Sequence, residues 1–268
     1  MATAGIVLCA DDYGIAPGVS GAIRSLLDLG RLSATNCMVV SPDFAADGAL
    51  LAPYLGRIDV GLHLTLTQDR SLASLMLAAF AGRLDAAATG AEVERQIARF
   101  TEVLGRAPDF IDGHQHVHLL PGVREAVAAA ALRLGAYVRL TREPLPTILR
   151  RGISPGKAAF LSLLSLPLAR RARQFGLAHN AGFLGVRSFT EPGPFRILFK
   201  RMIAGARAGS LVMCHPGVVD AALRARDPVT QSREEEYRYF MSAEFPADLK
   251  AANLRLMGLA DALKQEPA

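Results

Sequence analysis

The residues able to do chemistry fall in a few short stretches. The densest is Asp112-Gly113-His114-Gln115-His116-Val117-His118, with three of the chain's six histidines. In an extended segment alternate side chains share a face, so a strand running on from Phe110-Ile111 would turn Asp112, His114, His116 and His118 to one side. Three imidazoles beside a carboxylate are costly to pack without a ligand, which points to a metal centre; the bland reading is a polar loop whose histidines hydrogen-bond locally. Three more polar stretches follow apolar runs that stop abruptly: Asp11-Asp12-Tyr13-Gly14, His63, and His215-Pro216-Gly217. Adjacent carboxylates at the end of a buried strand repel each other, so Asp11 and Asp12 either sit in a solvated turn, cap a helix, or share a catalytic or metal-binding task. Arg142, in the polar tip Thr141-Arg142-Glu143-Pro144, either reaches a substrate or pairs with its neighbour in solvent.

These residues need a scaffold that brings strand ends together. Apolar runs over 5–10, 35–40, 58–62, 110–111, 137–140, 180–186 and 210–214 predict strands. Between them, helical spacing predicts helices over 18–29, 92–104, 123–134 and 194–206, a charged loop passing into a helix over 227–240, and a closing helix over 249–263, with fraying from Gln265 onward. A short helix within the apolar section 72–80 is a further expectation. Alternating strand and helix units imply an α/β fold with a mostly parallel sheet, closed as a barrel or open, and such folds collect their catalytic groups at the carboxyl ends of the strands. Asp11, Asp12, His63, His114 and His215 all obey that rule. One carboxylate and two imidazoles can hold a divalent ion, leaving a second carboxylate and a further histidine for acid and base work.

The pattern changes over 145–179, where Pro146, Pro155 and Pro167 interrupt it and the apolar run 158–168 leads into Arg170-Arg171-Ala172-Arg173. As a core or lid helix this places arginines at a carboxyl end where the helix dipole suits them; as an interfacial helix it would lay an apolar face and a basic edge on an anionic surface. Net charge is +5 and the pI about 9.4, with the excess concentrated between Arg139 and Arg207. Nucleic acid is excluded as a partner, because the basic stretch has no interleaved aromatics and no recognition module is present. Cys9, Cys37 and Cys214 lie in apolar runs, as core residues of a reducing compartment and not as a disulfide framework or zinc site. With no secretory signal pattern at the N-terminus and no apolar run of membrane-spanning length, a cytoplasmic protein of one domain is expected.

Ala10-Asp11-Asp12-Tyr13-Gly14, Gly61-Leu62-His63-Leu64-Thr65-Leu66-Thr67, Asp112-Gly113-His114-Gln115-His116-Val117-His118 and Cys214-His215-Pro216-Gly217, in this order and spacing, resemble the YdjC-like (ChbG/HpnK-type) carbohydrate deacetylases over almost the whole chain. The resemblance implies a distorted (β/α) barrel of the glycoside hydrolase/deacetylase type and removal of N-acetyl from an amino sugar. By it, Asp12, His63 and His114 are the metal ligands, Asp11 the general base and His215 the acid on the leaving amine. Tyr13, Asp112, His116, His118 and Arg142 are then substrate-facing or supporting groups, with His116 or His118 as the alternative to His114, and a backbone N–H near Tyr13-Gly14 as an oxyanion donor. Residues 145–180 match poorly and are expected to form a variable lid or substrate-selecting insertion. The implied cofactor is one divalent ion: zinc or magnesium, with manganese, cobalt or nickel also suited to mixed Asp and His ligands. The implied partner is a small-molecule or lipid-linked N-acetyl amino sugar, a soluble chito-oligosaccharide or an N-acetylglucosaminyl lipid of the hopanoid type. Peripheral membrane contact and a homodimer stay open. The competing readings are a metal-dependent phosphoesterase and a non-catalytic sugar-binding protein on the same scaffold.

Overall fold

The computed structural model describes residues 3–265. Eight strands form its centre: β1 (Ala4–Tyr13), β2 (Ala34–Cys37), β3 (Asp59–Leu64), β4 (Phe110–Gly113), β5 (Tyr137–Val138), β6 (Gly182–Leu184), β7 (Ser210–Cys214) and β8 (Leu254–Leu256). Every pairing is parallel, in the order β5-β4-β3-β2-β1-β7-β6, with β8 added beside the start of β1. A parallel bridge between Val138 and His179, with Val138 N–H donating to the Ala178 carbonyl, ties the β5 edge to the chain entering β6 and curls the sheet towards a ring. Parallel strands are covered on both faces, which is why they are continuously apolar in sequence.

The pleat decides which side chains face inward. Ile6, Leu8 and Ala10 of β1 pack in the large cluster shared with the helices, whereas Val7 and Cys9 join Ala34, Phe110, Tyr137, Phe183, Leu211 and Met213 in a second cluster inside the curled sheet. Gly61 belongs to the same inner layer, because a Cβ there would stand 2.5 Å from the Phe110 ring. Two residues further along each strand, period-two alternation puts the next inward side chain at the carboxyl rim. Those residues are Asp11, Asn36, His63, Asp112, Arg139, Gly185 and His215. An apolar floor with a polar rim is thus written into six strands at once, while β6 brings Gly185, where a Cβ would run into the Met213 carbonyl oxygen.

Several elements differ from the sequence expectation. The expected closing helix over 249–263 is instead a helix (Glu244–Ala251), the strand β8 and a short helix (Leu259–Leu263). Asn253, at φ +55°, ends the helix, and its carbonyl accepts from Ala4 N–H, so the free edge of β1 captures the chain. Asn tolerates that left-handed conformation better than most residues. The helix expected over 92–104 starts earlier, at Ala86 (Ala86–Leu104), because the Asp85 carboxylate accepts from the Ala87 and Ala88 amides. The apolar run 158–168 is broken in two: residues 145–175 form three helices (Leu145–Arg151, Pro155–Leu164 and Leu166–Phe175), and each proline stands in a helix's first turn. The section 72–80 is a helix as expected (Leu72–Phe80). Of the tail expected to fray, residues 266–268 lie outside the described residues, while Gln265 accepts from Gly5 N–H at 2.7 Å.

Candidate active site

Asp11 and Asp12 are consecutive, yet both serve one cavity. Alternation would send Asp12 to the helix side, but its φ of +71° and the irregular pairing of β1 with β2 between Ala10 and Tyr13 turn it back. Asn36 on β2 supports both residues, accepting from Asp12 N–H at 3.0 Å and donating to Asp11 Oδ1 at 2.9 Å. The cavity they open into holds about 400 Å³ and is also lined by His63, His114, His116, Arg187, His215 and Arg233, with Phe160, Leu164 and Met76 on its apolar side.

Asp12 Oδ1 lies 3.0 Å from His114 Nδ1 and 3.3 Å from His63 Nε2. On the far side of His63, Nδ1 meets Asp112 Oδ1 at 2.6 Å, which fixes the ring and leaves Nε2 facing Asp12. Burial opposes charge on His63, yet Asp112 and Asp12 lift it up to about 10, so this position is built to hold positive charge. Burial also opposes ionisation of Asp12, but Arg233 and then His114 hold its carboxyl well below the usual range. The three atoms satisfy a cation's needs: donor separations of 3.0 and 3.3 Å are edges of a coordination polyhedron with bonds of about 2.1 Å. A carboxylate behind a ligating imidazole is the usual outer support. Asp12, His63 and His114 therefore fit a divalent ion.

Asp11 is held differently. Its two oxygens accept from Arg139 Nη1 and Nη2, both at 2.7 Å, and its Oδ2 stands 4.0 Å from His215 Nε2. Arg139 is fully buried and also reaches Asp112 Oδ2 at 2.8 Å, so one guanidinium joins the two inward carboxylates of β1 and β4. His215 is anchored by its own N–H, which donates to Glu236 Oε2 at 2.6 Å; Glu236 in turn pairs with Arg187. Burial pushes His215 below its usual value, against the pull of Asp12 and Asp11. Arg233 joins Asp12 to Asp227 with 2.6 Å contacts to each.

The histidine stretch does not continue as a strand. β4 ends at Gly113, and residues 114–119 form tight turns with Gln115 and His116 at φ +53° and +60°. His114 and His116 keep a place on the cavity, whereas His118 turns into the protein, where Nε2 contacts the Arg139 carbonyl at 3.0 Å. Two other expected positions lie off the cavity. The Tyr13 hydroxyl donates to the Asp47 carbonyl at 2.6 Å and accepts from Arg24, a packing role between β1 and the helix Phe44–Ala49. Arg142 is exposed in a separate cleft. The Gly14 N–H, expected near an oxyanion, is taken by Ser20 Oγ at 3.0 Å. Asn36, Arg139, Arg187, Arg233 and Glu236 were not anticipated. Asn36 and Arg139 lie inside the predicted strands 35–40 and 137–140, with apolar residues after them, so the abrupt stop that marks the histidines does not mark them. Arg233 and Glu236 arrive from the helix Gln231–Met241, and nothing local in the sequence aims them at the site.

A family model described as YdjC-like protein matches residues 5–251. A chitooligosaccharide deacetylase from Yersinia pestis (strain Pestoides F) is 31% identical over 232 residues, covering 81% of this chain and 83% of that protein. Among solved structures, a protein of Enterococcus faecalis V583 described as a cellobiose-phosphate cleavage protein superposes with a TM-score of 0.70 at 18% identity, covering 97% of this chain and 99% of that one. A family 4 acetyl xylan esterase from Clostridium thermocellum, in complex with a cobalt ion, superposes with a TM-score of 0.50 at 10% identity, over 96% of this chain and 89% of that one. These likenesses place the fold among the deacetylase-type (β/α) barrels, and the extended sequence match places the chain itself in the YdjC-like protein family.

Proposed function

We propose that this chain is a metal-dependent hydrolase that removes the N-acetyl group from an N-acetylglucosamine-containing carbohydrate. The observation that carries the reading is one cavity holding both halves of such a reaction: the Asp12, His63 and His114 donor set, and beside it Asp11 with His215. The name of the Yersinia pestis relative supports the substrate class.

In this reading Asp12, His63 and His114 hold the divalent ion, which when bound polarises the acetyl carbonyl and acidifies water. Asp11 acts as base: Arg139 and Asn36 fix its carboxylate, and Oδ2, with Arg139 as its donor, takes the proton of the attacking water. His215 delivers a proton from Nε2 to the amide nitrogen, and the C–N bond breaks to give acetate and the free amine. Glu236 sets the position of His215 through the backbone, and Phe189 stands edge-on to its ring at 5.2 Å between centroids. Residues 145–180 serve as the selecting element, since Lys157, Phe160, Leu161 and Leu164 form one wall of the cavity.

The test is acetate release from N-acetylglucosamine oligomers by metal-stripped protein, with zinc, magnesium, manganese, cobalt and nickel restored one at a time. Metal-dependent acetate is expected. Asp11→Asn should retain the metal and lose turnover by about 10³-fold or more, the scale of a lost general base with its positioning, whereas His63→Ala should lose metal and turnover together. An active Asp11→Asn enzyme would refute the base assignment, and phosphate instead of acetate from a sugar phosphate would move the site to a phosphoesterase.

A further inference from the structure

Charge is segregated along this chain. Residues 139–207 carry thirteen Arg and Lys against two Glu, so the remainder is acidic, with seventeen basic residues against twenty-three Asp and Glu. Within the basic segment Arg151 is paired with Glu143, Arg171 with Glu125, and Arg196 and Lys200 with Asp248. Among the described residues no carboxylate pairs with Arg142, Arg150, Arg170, Arg173, Arg201 or Arg207. Arg142, Arg173 and Arg207 line a separate cleft of about 250 Å³ that shares no lining residue with the active-site cavity, and Arg207 precedes β7, at the strand ends opposite the rim.

The same segment exposes large apolar side chains. Leu145 and Leu149, one turn apart on Leu145–Arg151, are 55% and 61% exposed, and Leu163 on Pro155–Leu164 is 65% exposed. The helix Phe195–Ile203 belongs to the same surface: Leu198 and Met202 pack with Ile153, Arg201 donates to the Arg151 carbonyl at 2.7 Å, and Ile197 is left outside. This surface borders the mouth of the active-site cavity, because Phe160 lines the cavity and is itself half exposed. On another side of the mouth, the helix Leu72–Phe80 gives Leu72 and Met76 to the cavity and exposes Leu77 and Phe80.

We infer that this apolar, cationic surface at the cavity mouth docks on the face of an anionic lipid bilayer. Leucine and phenylalanine side chains enter the acyl boundary while unpaired arginines meet lipid phosphates, the pattern of a peripheral interfacial contact. No helix among the described residues is long and apolar enough to cross a membrane, so the contact lies in the surface plane. A second copy of the chain is the poorer occupant: a two-fold interface sets the same patch against itself, and here that would face unpaired arginines with one another. The inference does not depend on the proposed reaction.

The full chain is mixed with vesicles of phosphatidylcholine alone and with vesicles containing roughly 30 mol % phosphatidylglycerol, then floated on a density gradient. Flotation with the anionic vesicles only, reversed by high salt, is expected. Each arginine brought to an anionic leaflet contributes roughly a factor of five in partitioning. Arg150→Glu with Arg170→Glu should therefore lower binding more than tenfold, and Leu149→Ser with Leu163→Ser should lower it as well, with the urea unfolding midpoint unchanged in both. Wild-type protein that floats with neither vesicle, or leucine variants that float like wild type, would overturn the inference. So would a dimer in sedimentation velocity that the leucine variants split, since the surface would then be a self-association face. Flotation as expected with no acetate released would leave this inference standing and sink the proposed reaction.

Discussion

Arginine is used in two opposite ways in this molecule. At the rim of the curled sheet Arg139, Arg233 and Arg187 are buried, and each is bound to carboxylates: Arg139 to Asp11 and Asp112, Arg233 to Asp12 and Asp227, Arg187 to Glu236. On the helices of residues 145–203, Arg150, Arg170, Arg173 and Arg201 are exposed, and among the described residues no carboxylate pairs with any of them. A buried ion is tolerable only when paired and hydrogen-bonded, so the rim arginines fix geometry, whereas unpaired surface arginines project a field outward. The first set makes a site rigid; the second makes a surface available.

The sharpest way to break the comparison is to remove a rim guanidinium. Arg139→Met would take from Asp11 its buried counter-charge and leave Asp112 with His63 alone, and the expected loss is about 3–5 kcal/mol, read as a fall in the urea midpoint. An unshifted midpoint would show that the rim pairs are not what holds this end of the barrel together. Asp112→Asn asks a finer question, because it keeps the shape behind His63 and removes the charge at Nδ1. Divalent-ion affinity is expected to fall about 10–100-fold, the usual effect of removing a carboxylate behind a ligating imidazole. Calorimetric titration of the metal-stripped protein measures it, and unchanged affinity would mean that the ring is oriented by packing alone.

The rim pattern also explains what the sequence could disclose. Strand ends were legible because parallel strands are continuous apolar runs and their stops are abrupt, which brought Asp11, Asp12, His63, His114 and His215 into view. Asn36 and Arg139 do not follow that rule: apolar residues continue after each in the sequence, and they reach the rim because β2 ends at Cys37 and β5 at Val138. Arg233, Asp227 and Glu236 were out of reach: they come from the segment after the last rim strand, and only tertiary packing brings them to Asp12 and His215. The alternation expected over Asp112–His118 failed at Gln115 and His116, whose left-handed φ angles no pattern of residue types signals. The closing strand β8 was missed for a related reason, since a three-residue strand takes its stability from the edge of β1 and not from its own sequence.

Acid exposes the cost of the buried histidines. Burial pushes His118 down to about 4 even though Asp112 pulls the other way, and His116 moves in the same direction through burial, His118 and Arg139. Unfolded histidines take up protons near 6.5, so between about pH 6.5 and pH 4 the unfolded chain binds more protons and stability falls with pH, by about 3 kcal/mol for His118 alone. The raised His63 works in the opposite sense, but its gain is complete once the unfolded histidine is protonated near 6.5, and the depressed rim carboxylates add their loss only below the ordinary Asp range, so the window below about pH 6.5 belongs to His116 and His118. Urea midpoints taken at about pH 6 and about pH 4.5, below the range in which the raised His63 still adds stability as pH falls, should differ, and His118→Gln should flatten the slope; equal wild-type midpoints would show that His118 and His116 are not held neutral.

The smallest expected effect tests the other half of the comparison. Arg150 and Arg170 are exposed, and no carboxylate pairs with either among the described residues, so the folded state gains little from their charge. Replacing both by alanine should shift stability by no more than about 0.5 kcal/mol. The sign is informative. These cations sit in a strongly basic segment, so their removal relieves repulsion, and any stabilisation should appear at low ionic strength and vanish in high salt, where exposed charges are screened. Urea unfolding of the double variant at both ionic strengths decides it. A loss larger than about 1 kcal/mol at either would mean that Arg150 or Arg170 is bound inside the protein after all, and the division between arginines that build the site and arginines that face outward would not hold.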